Sequence, residues 1–355
     1  MKKSLYIVHT PFQCMMAIEI KMRFDSNDGD LFISADFKGS NRVASKIHEL
    51  EIFSNVLIFN ENPNTIKRIL DFSPFGKVHE KIRNDYSKVY ICISNVSGDL
   101  ETVSVSKQQG NAKIIGFIEG YSSYLVDLDT EWKGLSVRHK IYNEINSKIF
   151  HEQYINKFDF YIAFYKSLFP KQPAWPVLEM QNIDVQKDTE LRTNMFKAFD
   201  YEYVEIKQKY IFMEECFSED LGNNNDIQIV EHISNIVGKE NIIIKRHPRN
   251  KENRFAKLGY FTMEQQSVPW EIFALDSRNN NHILISFSSG AALNYNFLTT
   301  SSMKSILIYR VFRDTHFHDI DSDLGNWLNS FAKIYCKNVL IPENVDQLQN
   351  LLSTL

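Results

Sequence analysis

A chain of 355 residues with a formal net charge of -4 is long enough for two domains of ordinary size. Its 43% hydrophobic and 24% charged residues are those of a globular protein, and the mild negative balance excludes the broad basic field of a nucleic-acid binder. Any anion site must therefore be local. The first strand is predicted at Ser4–Val8, the turn at His9–Gln13, and a helix at Cys14–Arg23 with Met15, Ile18 and Met22 on one face. A strand follows at Leu31–Ala35, a helix at Asn41–Leu50, a strand at Asn55–Phe59 and a helix at Asn64–Phe72. Strands at Lys88–Ile93 and Lys113–Glu119 bracket a helix at Asp99–Gln109. Trp132–Asn156 reads as helical and Phe158–Phe164 as the last strand of the first half.

Three prolines in Pro170–Pro176 mark a connector, since proline continues neither a helix nor a central strand. After a helix at Asp188–Tyr203 the pattern restarts with a strand at Lys209–Met213. A helix at Asp226–Val237, the strand of Asn241–Asn250, the stretch Lys257–Met263 and a short helix at Trp270–Leu275 come next. Then follow a strand at His282–Ile285, a helix through Leu293–Phe297, a strand at Lys304–Tyr309, a helix at Leu324–Phe331, a strand at Val339–Ile341 and a helix at Asn344–Leu352. Alternation of this kind predicts an α/β class with parallel sheets. Two such halves, residues 1–205 and 206–355, suggest sheets facing an interdomain cleft.

No GxGxxG follows the first strand and no GxxxxGK[ST] occurs, which speaks against a dinucleotide fingerprint and a P-loop. The cysteines Cys14, Cys92, Cys216 and Cys336 form no CxxC pair and no zinc-type cluster, and read as free thiols of a reducing compartment. The apolar run before His9 is too short for a signal segment. No stretch approaches the roughly 18 apolar residues of a spanning helix. A cytoplasmic location is expected, with peripheral contact at the inner face of the cell membrane and a homodimer both left open.

Three sets of polar residues fall at predicted carboxyl ends of strands, where open α/β sheets bind ligands. In NIIIKRHPRN, Asn241–Asn250, three isoleucines run into Lys245, Arg246, His247, Pro248 and Arg249. This reads as a phosphate-type anion site or as a solvated loop. Ser288-Ser289-Gly290 follows the strand at His282–Ile285. Hydroxyls and open N–H groups at a helix start hold anions, although a plain serine cap has the same spelling. Glu119-Gly120 follows the strand at Lys113–Glu119; Glu119 reads as a general base or as a turn-capping carboxylate. A carboxylate base together with a phosphate-holding set suits group transfer from an activated phosphate ester. No DxD run argues for a metal-dependent sugar transferase.

The turn Thr10-Pro11-Phe12-Gln13, the Glu119-Gly120 turn with Tyr124, the His247-Pro248 pair and the Ser288-Ser289 pair occur in this order. Together they resemble the bacterial lipooligosaccharide-type sialyltransferases of glycosyltransferase family 52, related to the bacterial polysialyltransferases. The resemblance spans about residues 10–300. It implies a GT-B fold, two Rossmann-like domains with the active site between them. It further implies inverting, metal-independent transfer of sialic acid from CMP-sialic acid to a galactose-terminated glycan of lipooligosaccharide or capsule. The acidic residue before the glycine, here Glu119, would be the base. His247 and the serines would bind the CMP phosphate, with Lys245, Pro248, Gly290 and Glu271 on the donor side. Thr10, Pro11, Gln13, Gly120 and Tyr124 would belong to the acceptor side or to structural turns. No cofactor and no nucleic-acid partner is expected beyond the nucleotide-sugar donor and the glycan acceptor.

One departure is visible. The family motif carries two acids before the glycine, and the first position here is Ile118. Asp127, Asp129 and Glu271 are further carboxylates that could supply the base. Two other readings follow: a GT-B transferase using a UDP-sugar or CMP-Kdo, and a degenerate, non-catalytic glycan-binding homologue.

Overall fold

A computed structural model of the chain describes residues 3–35, 37–59, 67, 81–82, 86–92, 112–125, 158–173, 175–215, 225–264, 267–312, 322–335 and 337–355. The helices expected at Asp99–Gln109 and Trp132–Asn156, nearly all of the one at Asn64–Phe72, and Asp127, Asp129, Cys216 and Cys336 lie outside the described residues. The chain divides into two compact units. The first comprises Met1–Gln181 with Thr193–Asp200, the second Asn182–Arg192 with Tyr201–Leu355.

The first unit is built on seven parallel strands: β1 (Lys3–Val8), β2 (Asp28–Ser34), β3 (Asn55–Phe59), β4 (Tyr86–Ile91), β5 (Lys113–Phe117), β6 (Phe160–Ala163) and β7 (Val177–Glu179). They lie in the order β3-β2-β1-β4-β5-β6-β7. Apolar, largely β-branched and aromatic runs form these strands because both faces of a central parallel strand are covered. In β1, Leu5 to Val8 are at most 1% exposed. Helices α1 (Pro11–Phe24), α2 (Ser40–Glu49) and α3 (Ser122–Leu125) belong to this unit.

At the amino end of the sheet a buried polar network ties four strands together. The Tyr6 hydroxyl donates to Asp25 Oδ2 at 2.9 Å, and Lys88 Nζ reaches Asp25 Oδ1 at 2.9 Å. Tyr86 donates to Asp30 Oδ2 at 2.7 Å, Asn55 to Asp30 Oδ1 at 2.8 Å, and Lys3 pairs with Asp30 at 2.8 Å. The Tyr6 and Tyr90 rings stack at 4.4 Å above this network. A buried carboxylate costs stability unless it is paired, and here both are.

Two expectations need correction. The helix expected to bury one face buries more than that: Phe12 to Ile20 are all buried, Glu19 included, so α1 is covered all round up to its last turn. And β6 is not the last strand of its sheet. Past the proline-rich connector, β7 pairs with β6 through Tyr161↔Val177 to Ala163↔Glu179. Three residues, two of them exposed, offer no apolar run for a pattern to show.

The second unit has six parallel strands, β8 (Tyr210–Met213), β9 (Ile242–Lys245), β10 (Phe261–Thr262), β11 (Ile283–Ser286), β12 (Lys304–Leu307) and β13 (Val339–Leu340), in the order β10-β9-β8-β11-β12-β13. The helices beyond α3 are α4 (Thr189–Ala198), α5 (Asn225–Val237), α6 (Arg254–Lys257), α7 (Trp270–Ala274), α8 (Gly290–Leu298), α9 (Ser322–Ile334) and α10 (Val345–Thr354). Within Lys257–Met263 the chain leaves α6 and forms only the two residues of β10. Both sheets thus share the doubly wound order 3-2-1-4-5-6, with a further strand in the first. Among the described residues no helix is long and apolar enough to cross a membrane.

Candidate functional site

In a doubly wound sheet the order reverses beside its first strand, and ligands bind in the crevice at the carboxyl ends there. In the second unit that point lies between β8 and β11. Strand β8 runs straight into Glu214 and Glu215, and these two carboxylates organise what surrounds them. Glu214 turns towards β9: its Oε2 accepts the backbone N–H of His247 at 2.9 Å. Its Oε1 accepts Arg254 Nη2 at 2.8 Å. The same guanidinium grips Asp226, with Nη1 to Oδ1 at 3.0 Å and Nη2 to Oδ2 at 2.6 Å. Glu214 and Asp226 are 3% and 1% exposed, so both carboxylates of this triad are buried, while Arg254 is half-buried.

Glu215 turns the other way. Its Oε1 accepts the backbone N–H of Ser288 at 2.7 Å and the hydroxyl of Ser286 at 3.0 Å. The Ser286 oxygen in turn accepts the N–H of Ser289 at 2.7 Å. Burial pushes the Glu215 carboxyl up to about 7, against the lowering effect of the bonds from Ser288, Ser286 and Ser289. The His247 and Ser288-Ser289 motifs are therefore joined through one dipeptide on the strand between them.

His247 is half-buried and its Nδ1 accepts the Arg249 N–H at 3.3 Å. In the neutral ring this leaves Nε2 as the proton-bearing nitrogen, a donor suited to an anion. Pro248 and Arg249 are exposed. Ser288, Ser289 and Gly290 are half-buried at the start of α8. Ser289 occupies the N-cap position but makes no capping bond, so the plain-cap reading does not hold for its hydroxyl. The amino end of α8 with its open N–H groups is a natural seat for negative charge. The Glu215 carboxylate takes the donors just ahead of it, the Ser288 N–H and the Ser286 hydroxyl.

The structure sets Lys245 and Glu271 apart from this group. Lys245 is 6% exposed, its Nζ donates to the carbonyl of Val268 at 3.0 Å, and it lies 5.2 Å from the Phe273 ring centre. Burial pulls its pKa down to about 7, with Glu271 opposing. Glu271 is 5% exposed and accepts Asn294 Nδ2 at 3.3 Å. Burial pushes it up to about 7, against its own backbone N–H, Asn294 and Lys245. Lys245, the last residue of β9, lies in the interior, so of the cationic run His247 and Arg249 remain accessible past the strand end. Arg246 is buried as well, donating through Nη2 to the Asn250 carbonyl at 2.8 Å.

In the first unit, Ile118 and Glu119 extend β5. Ile118 is fully buried and its N–H donates to the Ile162 carbonyl at 3.2 Å. The position where the family motif has its first acid is here a core position. Glu119 is half-buried, its N–H donates to Ser123 Oγ at 2.7 Å, and its Oε2 lies 3.9 Å from the thiol of Cys92 at the end of β4. Gly120 has φ +78, a left-handed turn that glycine adopts without strain and that folds the chain from β5 into α3. Tyr124 is buried, its hydroxyl accepts the Tyr165 N–H at 3.2 Å, and its ring packs on Phe169. Thr10, Pro11 and Gln13 form a helix start. Thr10 Oγ1 accepts the Gln13 N–H at 3.2 Å, Pro11 takes the first helical position, and Gln13 Oε1 accepts the His9 N–H at 2.7 Å. Among the described residues no three His, Cys, Asp or Glu side chains converge as a metal site.

Comparison with known proteins now bears on these motifs. Residues 4–299 match the family model of the alpha-2,8-polysialyltransferases (POLYST). The chain belongs to this family. It is the polysialyltransferase kinship that the four motifs implied, and it makes the protein a glycosyltransferase of the sialyltransferase kind. A nucleotide-sugar donor and a glycan acceptor follow from that class. No curated protein matches the sequence. Among solved structures the polysialyltransferase-family chain is similar to a spinosyn rhamnosyltransferase complexed with thymidine diphosphate. Identity is 9%, 99% of this chain and 89% of that one are covered, and the TM-score is 0.52. A spinosyn forosaminyltransferase gives 9%, 100% and 91%, and 0.52. A protein described as a UDP-N-acetylglucosamine 2-epimerase from Listeria monocytogenes gives 10%, 86% and 78%, and 0.50. At such identities the likeness shows the fold alone, which is GT-B.

Sequence reasoning missed Glu214, Glu215, Arg254 and Asp226. The two glutamates had a signal: an apolar run ending in two acids, the mirror image of the isoleucines ending in cations. Arg254 and Asp226 had none, because their burial together is a tertiary event.

Proposed function

We propose that this polysialyltransferase-family chain transfers sialic acid from CMP-sialic acid to a glycan hydroxyl, with inversion and without a metal ion. The observation that carries the reading is the joining of His247 to Ser288-Ser289 through Glu214-Glu215, inside the matched region. His247 Nε2 and the serine hydroxyls and N–H groups would hold the phosphate of the donor, with Gly290 letting it approach the backbone. The bond from the sugar's anomeric carbon to the phosphate oxygen breaks and CMP leaves with the bonding pair. The acceptor oxygen bonds to that carbon from the opposite face, and its proton passes to Glu119. Lys245 and Glu271 would support the donor side from below rather than touch the phosphate.

The family's description names an alpha-2,8 linkage. A terminal galactose has no eighth carbon, so this reading takes a sialic-acid-terminated surface glycan of capsule or lipooligosaccharide type as acceptor. A galactose end is the second reading, from the kinship with the lipooligosaccharide enzymes. The test is a donor and acceptor screen of the full chain. CMP-sialic acid, CMP-Kdo and UDP-sugars are offered with sialylated and galactose-terminated oligosaccharides, with and without EDTA, reading released nucleotide. Turnover with CMP-sialic acid that survives EDTA and is lost in Glu119→Gln and His247→Ala supports the assignment. Turnover with a UDP-sugar alone, or unchanged activity in both variants, defeats it.

A further inference from the structure

We infer that Glu215 is a binding residue of the donor site: its carboxyl occupies hydrogen-bond donors of the Ser286–Ser289 loop that leads into α8 and must take up a proton before a phosphate can share them. The inference rests on the donor-site reading above.

The geometry is that of a bound anion. One carboxylate oxygen accepts a backbone N–H of the loop before α8 at 2.7 Å and a serine hydroxyl at 3.0 Å. That hydroxyl relays the next N–H, from Ser289, at 2.7 Å. These donors belong to the loop that leads into α8, next to the helix start where a phosphate oxygen would be held. They lie at the reversal point of the sheet, where this architecture places ligands. A carboxylate and a phosphate differ in size and charge, but both are oxygen acceptors and compete for the same donors.

Among the described residues, Glu215 is also the carboxylate of this cluster that no cation compensates. Its neighbour Glu214, just past β8, has Arg254 of α6, which is shared with Asp226 of α5. From β9, Arg246 donates to the Asn250 and Lys251 carbonyls, and His247 approaches Glu214 through its backbone. From β11 and the loop into α8, the Ser286 hydroxyl and the Ser288 N–H reach Glu215. Among the described residues Glu215 has no ion pair, and the charge of Asp226 works against its ionisation. Ionised, it would place a second negative charge beside a phosphate with nothing between them. Protonated, the same carboxyl becomes a hydrogen-bond donor to a phosphate oxygen, or swings out and frees those donors.

Because burial brings this carboxyl to about 7, the exchange falls in the neutral range. The apparent dissociation constant is the intrinsic one divided by the competent fraction. For a group titrating near 7 that fraction is close to one at pH 5.5 and about one in eleven at pH 8. The sign is fixed: the carboxylate form excludes the phosphate, so affinity falls as pH rises through that value.

The experiment titrates CMP calorimetrically into the full-length wild type, Glu215→Gln and His247→Ala between pH 5.5 and 8.5. Glutamine keeps the acceptor oxygen for Ser288 and removes the charge; circular dichroism verifies that it folds. His247 and CMP titrate in the same range, so the quantity read is the ratio of the wild-type to the Glu215→Gln dissociation constant, in which they cancel. The ratio is expected near one at pH 5.5 and about tenfold at pH 8. Buffers of different ionisation enthalpy should show close to one more proton taken up by the wild type at pH 8. A ratio that stays flat across the range, with CMP binding lost in His247→Ala, overturns the role of Glu215 and leaves the donor site standing. Failure of CMP to bind wild type and Glu215→Gln at every pH overturns the donor-site reading and this inference with it.

Discussion

Replacing Arg254 by methionine should destabilise the second unit more than most substitutions in it, and do so in a pH-dependent way. The arginine compensates two carboxylates, Glu214 at 2.8 Å and Asp226 at 2.6 Å, which are 3% and 1% exposed. Methionine fills most of the volume, so the loss is electrostatic. Removing one partner of a buried ion pair costs about 3–5 kcal/mol. Protonation sets a ceiling: neutralising an ordinary aspartate at pH 7.5 costs about 5 kcal/mol, and about 2 kcal/mol at pH 5.5. Burial already holds the Asp226 carboxyl above its usual range with Arg254 present, and the variant raises it further. A carboxyl whose folded pKa is raised binds more protons in the folded state, so stability falls as pH rises. The deficit should thus be about 3–5 kcal/mol at pH 7.5 and smaller by about 2 kcal/mol or more at pH 5.5. Urea unfolding followed by far-ultraviolet circular dichroism at both pH values measures it, with Arg254→Lys as the charge-retaining control. A deficit under about 1 kcal/mol at pH 7.5, or one of equal size at both pH values, would show that the triad is not the buried support described. Because Glu214 also holds the His247 N–H, CMP affinity should fall in the same variant when measured well below its melting point.

Three further outcomes are expected. In Gly116→Ala the new methyl would meet the Tyr161 ring beneath the Glu119 turn, costing about 1–3 kcal/mol in a denaturant titration. Gly120→Ala places a side chain at φ +78; about 1 kcal/mol should be lost, with a fall in kcat larger than any change in donor KM if Glu119 is the base proposed above. Thr10→Ala removes the cap of α1 and should lower stability by about 1 kcal/mol, while Thr10→Ser should restore it; full stability in the alanine variant would show that the Thr10–Gln13 turn is not held as described.

The strands and their carboxyl ends were legible because their signals are local. The three isoleucines of Asn241–Asn250 mark a buried strand, and the cationic run at their end marks where it stops, although Lys245 and Arg246 are themselves buried. The same holds for Glu119-Gly120 after KIIGFI and for Ser288-Ser289 after ILISF. Alternation then gave two parallel sheets, since only crossovers join parallel neighbours. The motifs in their order gave the family. Strand β7 escaped because it is short and exposed, and the all-round burial of α1 because burial of its polar residues, Glu19 among them, depends on what covers them.

What tertiary structure alone decided is how charges are shared. Lys245 and His247 stand two residues apart, yet one is drawn inside against Val268 while the other remains at the strand end. Glu214 and Glu215 are identical in the sequence and opposite in role. One is neutralised by Arg254 from 40 residues away, the other is held by N–H groups and a hydroxyl more than 70 residues away. The sequence by itself determined that polar groups would gather at these strand ends, because the patterning is short-range. Which carboxylate received a cation depended on burial and on partners brought close only by the fold, and electrostatic energies change most with those two quantities.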